Sequence, residues 1–426
     1  MTDTIEMVYS ACAMWIQDWL EAESPILHDE WDLASWMENE MREATQVFLT
    51  FGFKTTKGRN DARNILRALF YEHFLFQRQL AIKNLLPNPG AIERLPKLVQ
   101  TAQKSAEWHA ESRNMLSGHE FGPICVGSRS ERQTVLAKKC SPEVVVTGTG
   151  DSRTVFLSSE DGKLSAFKWG WRYEPVARMV FERYISDIDG DASEVYDGLG
   201  RVRHPTLPRL GASPDGLIMK GKRMGRLLEI KCPVSRELDN KVPIHYYCQM
   251  QLQAEVCDVD AVEYIEVQFA NVDDVSGCKP WIGKICVCSP STDADPTTWT
   301  YAYSPLFTQD SIEQCRAWLP EGGIVLESSI WCIKNMFHTT VLRNPRWWNA
   351  VGYPSYMDFW KDVEMARIDG RYKPRALFLD SVSDEEKGTE ANNLLSLDTT
   401  AGSDDTTISD NEDGVSKPAG KWLGVE

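Results

Sequence analysis

Apolar positions recur at three- and four-residue spacing through residues 1–100, the periodicity of helices with one buried face, and Trp15, Trp19, Trp31 and Trp36 supply part of it. A long helix is predicted from Asn60 or Asp61, either of which can cap it, up to the breaker Pro87. Residues 101–305 mix helical and strand spacing. In WGWRYEPVARMVFERY the segment from Val176 reads as helix, and Glu174 near its start shares a face with Ala177 and Phe181. The run LGASPDGLIMKGKRMGRLLEIKCPVS predicts a hairpin. Pro214-Asp215-Gly216 is turn chemistry, Leu217–Met219 a short strand, and the basic glycine-containing turn KGKRMG returns it as Arg226–Cys232. Pro243–Ala254 then reads as helix with Tyr246, Gln249, Gln253 and Val256 on one face, and Val262–Val267 as another strand. Hairpin, helix and strand in succession predict an α/β core over 101–305, preceded by a helical extension over 1–100. Residues 310–375 return to helical spacing with many aromatics. Residues 380–426 are rich in Ser, Thr, Asp, Glu and Gly and are expected to be a disordered acidic tail.

Composition narrows the class without deciding it. With 42% hydrophobic and 25% charged residues in 426, the chain is globular in type and holds enough material for one elaborated domain or two or three ordinary ones. The net charge is −16, of which twelve acidic and three basic residues from Asp380 onward account for −9. A mildly acidic body can still carry a basic groove. Eleven cysteines without regular short spacing predict reduced thiols in an intracellular setting, cytoplasm or nucleus. The amino-terminal apolar run Met7–Ile16 is too short to span a bilayer and lacks a basic flank, so neither membrane segment nor secretion signal is expected.

The hairpin carries the chemistry. Alternation along a strand puts Glu229 and Lys231 on one face and Ile230 on the other, and the antiparallel ladder brings Asp215 beside Glu229. Paired carboxylates suit Mg²⁺, which takes oxygen ligands, and a neighbouring ammonium can orient or deprotonate an attacking water and stabilise a pentavalent phosphate. Read alone, the same residues also describe an exposed salt-bridged ladder, and Glu174 a dipole-favoured acid at a helix start.

Taken together the segments resemble the lambda-exonuclease/YqaJ-like branch of the PD-(D/E)XK nucleases. WGWRYEPVAR resembles the helix bearing the family's glutamate, LGASPDGL its metal-aspartate turn, LLEIKCP its E-x-K strand and YYCQMQLQAEV its glutamine helix, in the family's order across about ninety residues. A weaker likeness covers Gln103–Gly122, the segment that meets the DNA 5′ phosphate in the family. Ser117 stands at the family's threonine, His119 replaces its serine, and Met115 occupies the place of its second arginine, with Arg129 as a candidate substitute.

The resemblance implies a restriction-endonuclease-like core, a central mixed β-sheet flanked by helices. Position by position it implies Asp215 and Glu229 as metal ligands with the Ile230 carbonyl, and Glu174 ligating or positioning the metal. Lys231 becomes the catalytic lysine and Gln249 the residue that orders the site. Arg113, Ser117, Arg129, Ser213 and Gln251 are implied as DNA or 5′-phosphate contacts. Mg²⁺ is the implied cofactor with Mn²⁺ as substitute, and double-stranded DNA ends the substrate, degraded from 5′ ends. A single-strand annealing protein is an implied partner and viral DNA recombination the implied setting. Residues 306–379 are expected to complete the DNA groove. Three readings compete. They are an endonuclease of the same fold, a nuclease-like module without catalysis, and a zinc or iron–sulfur site at Cys278, Cys286 and Cys288, whose spacing fits neither metal and reads better as core. His245 and Cys248, one turn apart, and the basic runs Lys54–Arg67 and Arg343–Trp348 are further candidates for metal or phosphate.

Overall fold

The computed structural model describes residues 4–22, 31, 42–103, 105–140, 164–278 and 280–370. Trp36, the side chain of Trp19 and the acidic tail lie outside the described residues. The chain divides into two compact units, one reaching Leu85 and one starting at Leu86.

The first unit holds α1 (Ile5–Ala22), α2 (Arg42–Gly52) and α3 (Thr56–Asn84). Helix α3 begins at Thr56, upstream of the expected caps, because the Thr55 hydroxyl accepts the Gly58 N–H at 2.9 Å. Val8, Cys12 and Ile16 repeat every fourth residue on α1, as do Leu66, Phe70 and Phe74 on α3, and the two stripes share one core. Trp15 joins it, stacked on Phe48 at 4.7 Å.

The second unit opens with α4 (Pro89–Arg94), α5 (Ala106–Ser112), α6 (Gly118–Cys125), α7 (Arg129–Cys140) and α8 (Ala166–Asp189). It begins earlier than the expected boundary near residue 100. The Asn88 N–H donates to the Met224 carbonyl at 2.8 Å, and Arg94 donates to the carbonyl of Cys257 at 2.8 Å. The strands are β1 (Val195–Tyr196), β2 (Val202–Arg203), β3 (Gly211–Ala212), β4 (Gly216–Ile218), β5 (Leu227–Lys231), β6 (Ala261–Asn271), β7 (Ile282–Ser289), β8 (Thr300–Tyr303) and β9 (Ile324–Leu342). Helices α9 (Ile244–Cys257), α10 (Ile312–Ala317) and α11 (Tyr353–Ile368) complete the unit.

Among the described residues seven strands form one mixed sheet in the order β1-β4-β5-β6-β9-β7-β8, and β2 pairs β3 as a separate ribbon. Strands β5 and β6 run parallel, joined by a crossover through α9; the other pairs of this sheet are antiparallel. The α/β expectation is met. Helix α8 covers one face, with Tyr173, Val176, Ala177, Val180 and Phe181 packed on Leu228, Ile230, Ile265 and Val267. Helix α9 lies on the other, where its side chains reach Glu229.

Two readings need correction. Residues 310–375 are not helical throughout, since β9 runs for 19 residues and is the sheet's longest strand. Its first half pairs β7 and its second half pairs β6, so one strand joins the two halves of the sheet. Helix α8 starts at Ala166, where the Ser165 hydroxyl accepts the Lys168 N–H, and passes through Pro175. Glu174 therefore sits in the third turn, beyond the reach of a helix-end dipole. Among the described residues no helix is long and apolar enough to cross a membrane.

Candidate active site

The carboxyl end of β5 and the turn before β4 form the site. The last β4–β5 pair is Gly216 with Leu228. Beyond it, Asp215 turns its carboxylate onto the strand and accepts the Ile230 N–H at 2.7 Å. In a strand the N–H and C=O of one residue point the same way, so the Ile230 carbonyl lies on the edge that Asp215 faces. Burial pushes the Asp215 carboxyl well above the usual carboxylate range, and the charges of Glu229 and Glu174 add to the shift. Glu174 thus reaches the site from α8 through its field.

Glu229 is fully buried. Its Oε1 accepts from Lys231 Nζ and from Gln249 Nε2 at 2.6 Å, and its Oε2 accepts from Gln253 Nε2 at 2.6 Å. Gln249 and Gln253 lie four residues apart on α9, one turn, and so meet the same carboxylate. Lys231 Nζ also lies 4.8 Å from the centre of the Tyr246 ring, a cation–π contact. Burial alone would lower the Lys231 ammonium, but the charges of Glu229 and Asp215 outweigh it and hold it above the ordinary lysine range. At neutral pH Lys231 is a cation.

The structure thus brings Asp215, Glu229, Ile230, Lys231 and Gln249 together, with Glu174 alongside. Gln253 belongs with them, and its position on the face shared with Tyr246 and Gln249 was the signal for it. Gln251 does not belong. Its Nε2 donates to the Leu342 carbonyl and its Oε1 accepts the Asn344 N–H, at 2.8 and 2.7 Å, so both ends of the amide fasten α9 to the chain after β9.

The upstream segment supports the site from behind. Gln103 donates to the carbonyl of Pro214, next to Asp215, and the Trp108 indole donates to the Ser213 hydroxyl at 3.4 Å. Ser117 is buried and caps α6, its N–H and hydroxyl both donating to Glu120. The next residue, Gly118, presses on Gln249 so closely that a Cβ there would stand 2.7 Å from Gln249 Cγ. Lys139, fully buried, ties this turn down through Glu120 and the carbonyls of Ser112 and Met115. Arg113 is half-buried, and its carbonyl accepts from Arg367. Met115 is a core residue, and Arg129 is exposed at the start of α7.

Other candidates resolve as structure. All eleven cysteines are free thiols, and Cys278, Cys286 and Cys288 are buried. His245 approaches Glu131, and Cys248 is buried. Arg343 is committed to Glu255 and Asp258 and Trp347 is fully buried, whereas Arg346 in the same run is exposed. In the first basic run, Arg59 donates to the carbonyl of Phe53 and Arg63 to Asn60.

The site fits a hard divalent cation. Its donors are oxygens, and the field at Asp215 shows negative charge that Lys231 leaves incompletely balanced. Among the described residues no three His, Cys, Asp or Glu side chains enclose an ion by themselves. Asp215, Glu229 and the Ile230 carbonyl would leave the remaining positions to water and substrate, the mode Mg²⁺ prefers.

Residues 107–260 match the YqaJ-like viral recombinase domain. The resemblance read from the motifs is borne out, and the match takes in Glu174, Asp215, Glu229, Ile230, Lys231, Gln249 and Gln253. The chain is also 33% identical over 118 residues to an uncharacterized protein of Acanthamoeba polyphaga mimivirus, covering 24% of this chain and 20% of that protein. Among solved structures it is similar to the alkaline exonuclease LHK-Exo from Laribacter hongkongensis, with a TM-score of 0.30 and 16% identity over 68% of this chain and 98% of that one. The same enzyme in complex with dAMP gives a TM-score of 0.29 at 16% identity over the same shares.

Proposed function

We propose that the protein is a divalent-metal-dependent DNA exonuclease that hydrolyses linear duplex DNA from 5′ ends, in viral-type recombination or repair. The observation that carries this reading is the meeting of Asp215, Glu229 and Lys231 at the end of β5, inside the segment that matches a viral recombinase domain. Asp215 and Glu229 would hold Mg²⁺ or Mn²⁺ with the Ile230 carbonyl, and Glu174 would add its charge. A bound cation of this kind supplies a water of lowered pKa and offsets charge on the phosphate. Lys231, held protonated, stabilises the negative charge that develops on the phosphate oxygens and acts as a cation instead of a base. Gln249 and Gln253 fix Glu229, and the Ile230 N–H fixes Asp215, so the oxygens need no rearrangement during the reaction. Arg113, Ser117, Arg129 and Ser213 form the candidate end-binding side, and a single-strand annealing protein is the natural recipient of the 3′ overhang produced.

The test is incubation of linear and covalently closed duplex DNA with Mg²⁺ and with a chelator. Linear DNA alone should be lost, with Mg²⁺ alone, and 5′-labelled ends should be released first. Cleavage of the closed circle would replace the exonuclease with an endonuclease, and survival of both substrates would remove the enzymatic reading.

A further inference from the structure

One strand away from the catalytic pair lies a second buried carboxylate that the chemistry above does not use. Glu266 on β6 is the register partner of Lys231 on β5, so both project from the same face. It is fully buried. Its Oε1 accepts from the Tyr264 hydroxyl and from Arg236 Nη2, whereas its Oε2 is buried with no hydrogen-bond partner. A carboxylate satisfied on one oxygen is a poor way to stabilise a core, since an apolar residue of similar volume would do as well or better. What Glu266 does achieve is to fix a guanidinium. Arg236 belongs to the loop that leaves β5, five residues after Lys231, and 39% of its side chain remains exposed. The cluster is continuous with the active site: Tyr246, whose ring holds Lys231 Nζ, lies 6.2 Å from the Tyr264 ring, centre to centre.

We infer that Arg236 is a phosphate-binding arm of the active site, anchored by Glu266 and presenting its free N–H groups to a backbone phosphate adjacent to the one being cleaved. Guanidinium offers five donors in a planar fork, of which Glu266 engages one nitrogen, Nη2, and the remainder match phosphate geometry. Anchoring by a buried carboxylate removes the rotamer freedom that an unrestrained arginine would lose on binding. The inference rests on the nuclease reading and extends it by naming a strand contact outside the reacting group.

The test measures binding of a fluorescein-labelled linear duplex by anisotropy in EDTA, across a salt series. It compares the wild-type protein, Arg236→Gln, and the double variant Arg236→Gln/Glu266→Gln, which removes both charges so that no unpaired carboxylate stays buried. Both variants should bind about tenfold more weakly, the loss of one charge-assisted hydrogen-bonded contact. The slope of log affinity against log salt should become shallower by about 0.9, one phosphate contact. A double variant with wild-type thermal stability but unchanged affinity and slope would overturn the inference and leave the nuclease reading standing. A wild-type protein that binds no duplex would overturn both.

Discussion

Two buried glutamates on adjacent strands, one on each face of the sheet, are treated in opposite ways. Glu263 on β6 faces α8 and is fully buried, as Glu229 is on the α9 face. Around Glu263 stand Arg223 at 2.9 Å, Arg226 at 2.8 Å, His338 at 2.8 Å and the Thr340 hydroxyl at 3.0 Å. Burial would raise its carboxyl, but His338 and the arginines outweigh that and hold it at about 2. Glu229 has one cation and two amides as partners, and its charge adds to the burial that raises the neighbouring Asp215 carboxyl. A buried carboxylate held directly by two arginines, one of them shared with Asp189, is a structural joint; one with a single ammonium and a second carboxylate beside it has room for an added positive charge. Burial alone does not separate the two.

The two carboxylate environments part most sharply at Asp215. Asp215→Asn should lower metal-dependent turnover by at least about 10³-fold, the scale of a lost electrostatic stabiliser, without lowering the melting temperature, because it relieves repulsion. Nuclease assay and calorimetry on the same preparation test both halves, and near-normal turnover would remove Asp215 from the site. Glu263→Gln should do the reverse. It leaves the largely buried Arg226 without a counter-charge and Arg223 with Asp189 alone, and should cost roughly 3 kcal/mol of stability, read from urea denaturation, with the activity of the folded fraction unchanged.

A smaller effect separates the two sites by pH. The Glu263 carboxyl is depressed, so its stabilising contribution is present above the ordinary carboxylate value and is lost only as pH falls toward about 2. The Asp215 carboxyl is raised, so the metal-free protein is favoured below the ordinary value and loses that advantage as pH rises through the raised one. Added Mg²⁺ should therefore raise the melting temperature by an amount that grows with pH across that upper window. A metal effect independent of pH would mean that the cation binds elsewhere.

The site was more legible than the fold around it. The hairpin announces itself through Pro214-Asp215-Gly216 and the basic turn before Arg226, and period-two alternation alone puts Glu229 with Lys231. Helical spacing placed Gln249 and Gln253 together, though not what they would bind. Strand β9 was hidden for a physical reason. Its two halves are covered by different neighbours, so burial changes along it, and polar runs such as Glu327-Ser328-Ser329 and His338-Thr339-Thr340 break any alternation. Gln251 misled because a glutamine near an active site looks available, and only tertiary structure shows both ends of its amide spent on backbone.

Strand β9 lies wholly outside the segment that matches the recombinase domain. The domain match ends at residue 260, one position before β6 begins at Ala261. A fragment cut at that point would carry Glu174, Asp215, Glu229, Lys231 and both glutamines, yet β5 would have lost its parallel neighbour and α9 the Leu342 and Asn344 groups that Gln251 grips. It would keep the candidate site residues but leave the β5 edge that pairs β6 open in place of a completed sheet. During synthesis the same is true of the nascent chain until Leu342 has emerged. The candidate site residues are thus all in place along the chain before the strand that completes their sheet, and that strand, β9, contributes none of them.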